Sequence, residues 1–371
     1  MLENRVMAGP ILSESLRQNR RLGSRTRILA GDILLGLIRH ERALMRIHKD
    51  PLQAWVQLTS DTIPALDEPQ NAYAIALSLP DDLAAEWLEQ LGPGATIEMA
   101  RIISSRAPVF LRILKQDSLV SLPVPVVRLG PHTLRLEARC NLLATEAWST
   151  GQVEIQDLGS QRVVEAAFAQ LAPGAHVLDL CAGAGGKALA LAALGCHVSA
   201  WDVRPQALMQ LEKRARRCGL WGAGSSAGSI RVLSVEPKND CRLNGREHFD
   251  LVLVDAPCSG TGVLRRHPEN RWKLRFPLAA QLELLTRAMQ MAPLTLYATC
   301  ALSRAENSEL VRRALGQLSS EGLARSGQND TTTKATAACA LEWERTLWPE
   351  AGGADGFYMA LLSRPSSRVI F

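Results

Sequence analysis

The chain lacks the cysteine spacing that marks zinc sites and disulfide frameworks. Its eight cysteines are scattered through 371 residues without a single Cys-x-x-Cys pair, which favours reduced thiols, a cytoplasmic location and no metal. No run approaches the roughly 20 apolar residues that a membrane span requires. The opening Met-Leu-Glu-Asn-Arg has none of the apolar character of a secretory signal. We therefore expect a protein that binds neither metal nor membrane.

Positive charge is missing from one part of the chain and concentrated in another. Residues 51–100 contain eight acidic residues and no Lys or Arg, whereas residues 1–50 contain ten Lys or Arg against five acidic residues. The net charge of the whole chain is +5. A basic segment fits a polyanion such as nucleic acid, but charged runs are also ordinary solvated faces. Charge alone leaves both interpretations open.

The order of predicted elements indicates three domains, since 371 residues exceed what one hydrophobic core usually serves. Apolar residues recur at helical spacing in residues 24–47, and a second helix is predicted from Asp81 to Leu91, with Asp81 or Asp82 as its N-cap. Short strand-like runs and prolines then alternate. After Gly151, strands alternate with helices, which is typical of a mostly parallel sheet covered on both faces. We predict domains at 1–92, 93–150 and 151–371.

A glycine-rich turn follows the predicted strand His176–Leu180. Small residues at the carboxyl end of such a strand allow a ligand to approach the backbone and the next helix; the turn comprises Cys181, Ala182, Gly183, Ala184, Gly185, Gly186 and Lys187. Asp202 lies 23 residues beyond Asp179, where a carboxylate takes ribose hydroxyls. A tight turn without a ligand is the alternative, and Lys187 fits an exposed helix start equally well.

Two cysteines follow predicted strands in settings that suit reactive thiols. Cys258 lies in Val-Asp-Ala-Pro-Cys-Ser-Gly, three residues after Asp255, and Cys300 ends Leu-Tyr-Ala-Thr-Cys. Carbon 5 of cytosine accepts a methyl group only after a nucleophile adds to carbon 6, and a thiolate is the side chain best suited to that addition. The pattern favours a cytosine-5 methyltransferase that uses S-adenosylmethionine. Residue chemistry alone permits either cysteine to be the attacking one.

Seven segments of the chain match one known family in sequence order across nearly all of residues 150–363. They are Gln156–Gln161, Cys181–Lys187, Asp255–Gly262, Arg265–Pro268, Tyr297–Cys300, Glu306–Asn307 and Asp355–Phe357. Together they resemble the RNA cytosine-5 methyltransferase family that includes bacterial Sun (Fmu) and eukaryotic Nop2. The resemblance implies an α/β, Rossmann-like class I methyltransferase domain. An all-α NusB-like RNA-binding domain and a small α+β connecting module would precede it.

The resemblance also implies roles for individual residues. Cys300 would add to carbon 6, Cys258 would assist breakdown of the covalent adduct, and Asp255 would hydrogen-bond the base. S-adenosylmethionine would lie against Cys181–Lys187, Asp202 and Asp255. The implied partner is RNA, with 16S ribosomal RNA as the leading substrate, and a monomer is the expected state. A transfer RNA enzyme, a DNA methyltransferase and a catalytically weak RNA-binding assembly factor are the alternatives.

A basic run follows the Pro-Cys segment and offers a second line of contact with RNA. It consists of Arg265, Arg266, Arg271, Lys273 and Arg275, with His267 and Trp272 between them. Phosphate contacts and stacking would suit a strand with a flipped-out base, whereas the plain alternative is a solvated helix face. Glu306 and Asn307 fit either the family pattern or a helix cap. The resemblance also implies a residue that contacts the adenine side of the cofactor, and either Glu236 or Asp240 could take that role.

Overall fold

The computed structural model describes residues 14, 15, 18, 24–47, 74, 77–115, 120–222, 228–234, 249–272, 276–326 and 339–364. Its helices are α1 Ser24–Arg39, α2 Glu41–Ile47, α3 Asp81–Ser104, α4 Glu146–Ser149, α5 Leu158–Phe168, α6 Gly186–Ala193, α7 Pro205–Cys218, α8 Leu278–Met291 and α9 Ser308–Ser326. Its strands are β1 Val109–Ile113, β2 Val126–Gly130, β3 Thr133–Leu136, β4 Val153–Ile155, β5 His176–Asp179, β6 His197–Ala200, β7 Ser229–Val232, β8 Leu251–Asp255, β9 Leu294–Thr299, β10 Ala340–Leu347 and β11 Phe357–Ser363. The predictions for Glu236, Asp240, Lys273 and Arg275 fall outside the described residues.

Seven strands form one large sheet in the order β10-β11-β9-β8-β5-β6-β7. The five strands from β9 to β7 run parallel, whereas β11 pairs antiparallel with both β9 and β10. Buried apolar side chains cover both faces, with Val177 and Leu189 in one cluster and Leu178 and Leu285 in the other. The predicted α/β architecture is confirmed.

A smaller antiparallel sheet, in the order β2-β3-β1-β4, precedes the large one. Leu111, Ile113, Leu134 and Val153 form the core of this smaller sheet. Strand β4 pairs with β1 although it begins after residue 150, so the small sheet continues past the predicted start of the third domain. The domain boundaries themselves, and the NusB-like character of residues 1–92, remain predictions.

Helix α3 differs from the helix predicted at Asp81–Leu91. Its backbone leaves helical geometry at Gly92, where φ is 74°, and a further helical stretch then runs to Ser104. Pro93 suits the start of that stretch because a first helical residue needs no N–H donor. The prediction that Asp81 or Asp82 caps the helix is wrong, since Pro80 is the N-cap. The Asp81 carboxylate instead accepts a hydrogen bond from Arg42 at 2.6 Å.

The basic run contains two arginines that the fold buries. Arg265 bonds to the Asp355 carboxylate and to backbone carbonyls of residues 350, 353 and 354. Arg271 donates to the carbonyls of Leu77, Ile103 and Leu264 at 3.0–3.3 Å. Each side chain is only 1% exposed, so the prediction that Arg265 and Arg271 contact RNA phosphates is wrong. Both guanidinium groups instead stabilise contacts between segments that are distant in sequence.

Among the described helices, none is both long enough and apolar enough to cross a membrane.

Replacing Arg271 with alanine should destabilise the protein by about 3 kcal/mol, because buried carbonyls would lose a charged donor. Arg271 joins the α3 region to the loop that follows Cys258. The free energy of unfolding in urea, followed by circular dichroism, measures the loss. Arg216→Ala is the matched control, since Arg216 is 59% exposed and pairs with Glu212, and it should cost less than about 1 kcal/mol. Equal losses for the two variants would contradict the assignment.

Candidate active site

Cys258 and Cys300 lie together at one edge of the large sheet. Strands β8 and β9 pair in parallel with Asp255 opposite Ala298, so the loops that follow them leave the sheet at the same edge. The two sulfur atoms lie 3.3 Å apart, within hydrogen-bonding distance. Both thiols are partly exposed. The expectation that these two cysteines lie in accessible loops at strand ends agrees with this geometry.

The Lys187 ammonium and the Asp255 carboxylate form an ion pair beside the thiols. Their Nζ and Oδ2 atoms are 2.5 Å apart, and the Lys187 side chain is only 9% exposed. Burial disfavours the ammonium, but attraction by Asp255 and Asp179 outweighs burial and raises the pKa of Lys187. Lys187 also interacts electrostatically with Cys300. Lys187 is therefore a charged group of the site and not an exposed helix-start residue.

The surroundings of Cys258 keep its thiol protonated. The hydrogen bond to Cys300 and burial, followed by the charges of Cys300 and Glu306, raise the pKa of Cys258 well above its ordinary value. Cys258 consequently stays a thiol near neutral pH and is able to donate its S–H to the Cys300 sulfur. The Cys300 sulfur thus lies 3.3 Å from the Cys258 sulfur and interacts electrostatically with the Lys187 cation.

The glycine-rich turn between β5 and α6 depends on its glycines at two positions. Gly183 and Gly185 have φ values of 55° and 84°, and a Cβ atom on Gly185 would lie 2.5 Å from Leu211 Cγ. Ala182 donates to the Trp201 carbonyl at 2.9 Å, which joins the turn to the end of β6. Burial, together with nearby carboxylates, raises the pKa of Cys181. Cys181 therefore contributes to the turn as an uncharged small side chain.

Asp202 follows β6 and faces the same turn, as predicted. Its Oδ2 atom accepts a hydrogen bond from Gly183 N at 2.8 Å, and Arg204 donates from its backbone and its guanidinium to the same carboxylate. Burial acts to raise the pKa of Asp202, but these hydrogen bonds outweigh burial and lower it. The carboxylate is therefore ionised, and a ligand hydroxyl would share it with Arg204, whose side chain is 67% exposed.

Sequence reasoning missed several residues that contribute to the site. Asp179 is buried, and its Oδ1 atom has no hydrogen-bond partner among the described residues. Burial, together with the charge of Asp255, raises the pKa of Asp179 to about 7. Gln156 donates to the Gly186 carbonyl at 3.1 Å. Each residue had one signal in the sequence, since Asp179 ends a predicted buried strand and Gln156 begins a segment that resembles the family.

Glu306 and Asn307 directly precede α9, and their side chains bond to the loops that carry the thiols. Glu306 ends the short 3₁₀ turn Arg304–Glu306, and its carboxylate bonds to Ser259 beside Cys258. Asn307 bonds to Thr299 and Ala301 on either side of Cys300. Both side chains therefore belong to the loops that carry the thiols.

Metal binding has no candidate in the described part of the chain, where no group of three His, Cys, Asp or Glu side chains could hold an ion.

Two solved structures share the fold. The structure of PH0851 superposes with a TM-score of 0.72 at 20% identity and covers 97% of this chain and 97% of that chain. A methyltransferase homolog protein from Pyrococcus horikoshii superposes with a TM-score of 0.59 at 20% identity, covering 79% of this chain and 97% of that chain. These likenesses show a Rossmann-like methyltransferase fold, with a mixed, mostly parallel sheet.

Sequence comparison identifies the family. Residues 166–363, more than half of the chain, match the family described as 16S rRNA methyltransferase RsmB/F. Ribosomal RNA small subunit methyltransferase B from Yersinia enterocolitica is 31% identical over 303 residues, which cover 78% of this chain and 64% of that protein. The chain thus spans less than two thirds of the length of this relative. It belongs to the 16S rRNA methyltransferase RsmB/F family.

Alkylation should modify Cys300 before Cys258. Because the pKa of Cys258 is raised and only a thiolate reacts, the rate at Cys300 should exceed that at Cys258 by at least about tenfold near pH 8. Peptide-resolved mass spectrometry after timed exposure to iodoacetamide measures both rates in one sample. Lys187→Met should slow the reaction at Cys300, since the neighbouring cation is lost. Faster modification of Cys258 would contradict the assignment of protonation states.

Proposed function

We propose that this protein is an S-adenosylmethionine-dependent RNA (cytosine-5)-methyltransferase that acts on small-subunit ribosomal RNA. The observation that carries the proposal is the 3.3 Å separation of the Cys258 and Cys300 sulfur atoms. Covalent methylation of cytosine needs one thiolate to attack the ring and a second group nearby when the adduct resolves. The paired loops supply both groups at one edge of the sheet.

Cys300 is the proposed nucleophile. Its sulfur forms a bond to carbon 6 of cytosine, and the electron pair of the bond between carbons 5 and 6 moves into the ring. The Asp255 carboxylate, held by Lys187 at 2.5 Å, is placed to hydrogen-bond the polar edge of the base. Lys187 carries the positive charge that offsets the negative charge developing in the ring.

Cys258 is the proposed partner in release of the adduct. Once carbon 5 carries a methyl group, its proton must leave to a base. The electron pair of that C–H bond then re-forms the double bond, and the bond between carbon 6 and the Cys300 sulfur breaks to return a thiolate. Cys258 lies within hydrogen-bonding distance of that sulfur. Its S–H is therefore placed to hydrogen-bond to the departing Cys300 thiolate and stabilise it, while water takes the proton from carbon 5.

The residues of the glycine-rich turn fit S-adenosylmethionine. Gly183 and Gly185 shape the turn through their positive φ angles, and the Asp202 carboxylate lies 2.8 Å from Gly183 N. The buried Asp179 Oδ1 atom, which has no partner among the described residues, is an acceptor for a ligand donor. The residues assigned to the cofactor are Cys181, Ala182, Gly183, Ala184, Gly185, Gly186, Lys187, Asp202 and Asp255. When bound, the cofactor supplies an activated methyl group.

The choice of RNA rests on relatives. The family description names 16S rRNA, and the Yersinia relative is a ribosomal RNA small subunit methyltransferase B. Bisulfite sequencing of total RNA from cells with and without the gene tests the choice. A cytidine of 16S ribosomal RNA should lose its methylation in the deletion strain. Loss confined to transfer RNA would change the substrate, and unchanged methylation throughout would overturn the proposal.

Replacing each cysteine should separate adduct formation from adduct release. Cys300→Ser should abolish covalent trapping on RNA that contains 5-fluorocytidine, because the attacking sulfur is gone. Cys258→Ala should still form the adduct and should accumulate it on unmodified RNA. Denaturing gel electrophoresis of the protein with labelled 16S ribosomal RNA measures both. Cys218→Ser is the matched control, since Cys218 is buried away from the site on α7. Trapping lost with Cys258→Ala and kept with Cys300→Ser would reverse the roles.

Replacing Asp202 should weaken cofactor binding. Asp202→Asn removes an ionised acceptor while keeping the side-chain shape, and the affinity for S-adenosylmethionine should fall by about 10- to 100-fold, the value of one hydrogen bond to a charged group. Isothermal titration calorimetry measures the dissociation constant. Glu212→Gln on the exposed face of α7, where the Glu212 side chain is 41% exposed, should leave it unchanged. An unchanged affinity for Asp202→Asn would remove Asp202 from the cofactor site.

A further inference from the structure

The carboxylate of Glu306 anchors the loop that carries Cys258 on both sides. Its Oε1 atom accepts hydrogen bonds from Ser259 N at 2.8 Å and from Gln281 Nε2 at 3.0 Å, and its Oε2 atom accepts from the Ser259 hydroxyl. Gln281 Nε2 also donates to the Pro257 carbonyl at 2.8 Å. Glu306 therefore holds residue 259 directly and residue 257 through Gln281. Its side chain is fully buried.

Asn307, the next residue, anchors the loop that carries Cys300 in the same way. Its Oδ1 atom accepts a hydrogen bond from the Thr299 hydroxyl at 2.7 Å, and its Nδ2 atom donates to the Ala301 carbonyl at 3.0 Å. The two residues that flank Cys300 are thus joined through one amide. Asn307 is 3% exposed, so water does not compete freely for these bonds.

Hydrogen bonds from two other segments hold the turn that contains Glu306 and Asn307. The Tyr297 hydroxyl donates to the Glu306 carbonyl at 2.8 Å. From α3, the Glu86 carboxylate accepts from the Ser303 hydroxyl at 3.1 Å and from Arg304 N at 2.6 Å. Because Glu306 and Asn307 are joined by a single peptide bond, they cannot move far apart. The distance between the two thiols therefore depends on one short, well-held segment.

Glu306 also acts on Cys258 through its charge. The carboxylate contributes, after the hydrogen bond to Cys300 and burial, to the raised pKa of the Cys258 thiol. Asn307 is uncharged, and it contacts the Cys300 loop through hydrogen bonds. The two anchors thus differ chemically, one by hydrogen bonds and charge and the other by hydrogen bonds alone.

We infer that Glu306 and Asn307 are positioning residues for two different steps of the reaction. Glu306 holds the Cys258 loop in the position needed for adduct release, and Asn307 holds the Cys300 loop in the position needed for adduct formation. The inference rests on the proposed function, because it assigns each residue to one of the two thiol steps. Neither side chain needs to touch RNA or cofactor. Each acts by fixing the two neighbours of one cysteine.

Replacing Asn307 and Glu306 with alanine should slow different steps, adduct formation and adduct release respectively. Asn307→Ala should slow adduct formation by about 100-fold, since small displacements of a reacting group have effects of that size. Formation is measured on 16S ribosomal RNA containing 5-fluorocytidine, in which fluorine replaces the proton that must leave. Glu306→Ala should form the adduct within about threefold of the normal rate and should slow release on unmodified RNA by about 100-fold.

Conservative variants and a control separate positioning from general damage. Glu306→Gln keeps the shape and one acceptor, so it should recover most of the release rate. Glu309→Gln, on the exposed start of α9, should change neither rate. If Glu306→Ala fails to fold, Glu306→Asp replaces it, because the shortened carboxylate should slow release while preserving the charge. Thermal unfolding of each variant identifies loss of fold directly.

The outcomes distinguish this inference from the proposed function. Equal slowing of both steps by Glu306→Ala and Asn307→Ala, or normal release with Glu306→Ala, would overturn the positioning roles. If the unsubstituted protein forms no covalent adduct with this RNA in the same experiment, the proposed function fails. If the cysteine variants behave as expected and the variants at 306 and 307 do not, only the positioning inference fails.

Discussion

The parallel pairing of β8 with β9 is the constraint on which the site depends. Parallel neighbours end at the same edge of a sheet, and the register places Asp255 opposite Ala298. The loops that follow therefore bring the Cys258 and Cys300 sulfur atoms to 3.3 Å, although 42 residues separate them in the chain. Because β8 and β9 are buried between apolar layers, a slip of one residue would turn core side chains toward the wrong face.

Around the thiols, burial concentrates charge in a small volume. The Lys187 ammonium pairs with the Asp255 carboxylate at 2.5 Å and is also attracted electrostatically by Asp179. In a poorly solvated setting, such charges are tolerated only where they are paired. The same setting raises the pKa of the Cys258 thiol, and the Lys187 cation interacts electrostatically with Cys300. The chemistry of the two sulfurs thus differs because of their neighbours, and not because of their own residue type.

Two segments outside the large sheet contact the loops at this edge. Glu154 of β4, in the small sheet, accepts a hydrogen bond from Arg214 of α7, which also donates to the Ala184 carbonyl of the glycine-rich turn. Gln156, just after β4, donates to the Gly186 carbonyl. From the helical region, Glu86 of α3 fixes the turn before Glu306. The segments outside the large sheet therefore stabilise the glycine-rich turn and the loops that carry the two thiols. Their contacts explain why the site requires more than the seven-stranded sheet alone.

The sequence by itself determined the order of strands and helices after Gly151, the glycine-rich turn and the pair of cysteines. Apolar periodicity, the conformational freedom of glycine and the reactivity of a thiol are local properties that a sequence displays. Only the tertiary structure decided that Arg265 and Arg271 are buried, that α3 continues beyond Gly92, and that Glu306 and Asn307 hold the thiol loops. The hydrogen-bond partners in those cases come from distant segments. A local sequence pattern does not show which residues of a distant segment will be the hydrogen-bond partners.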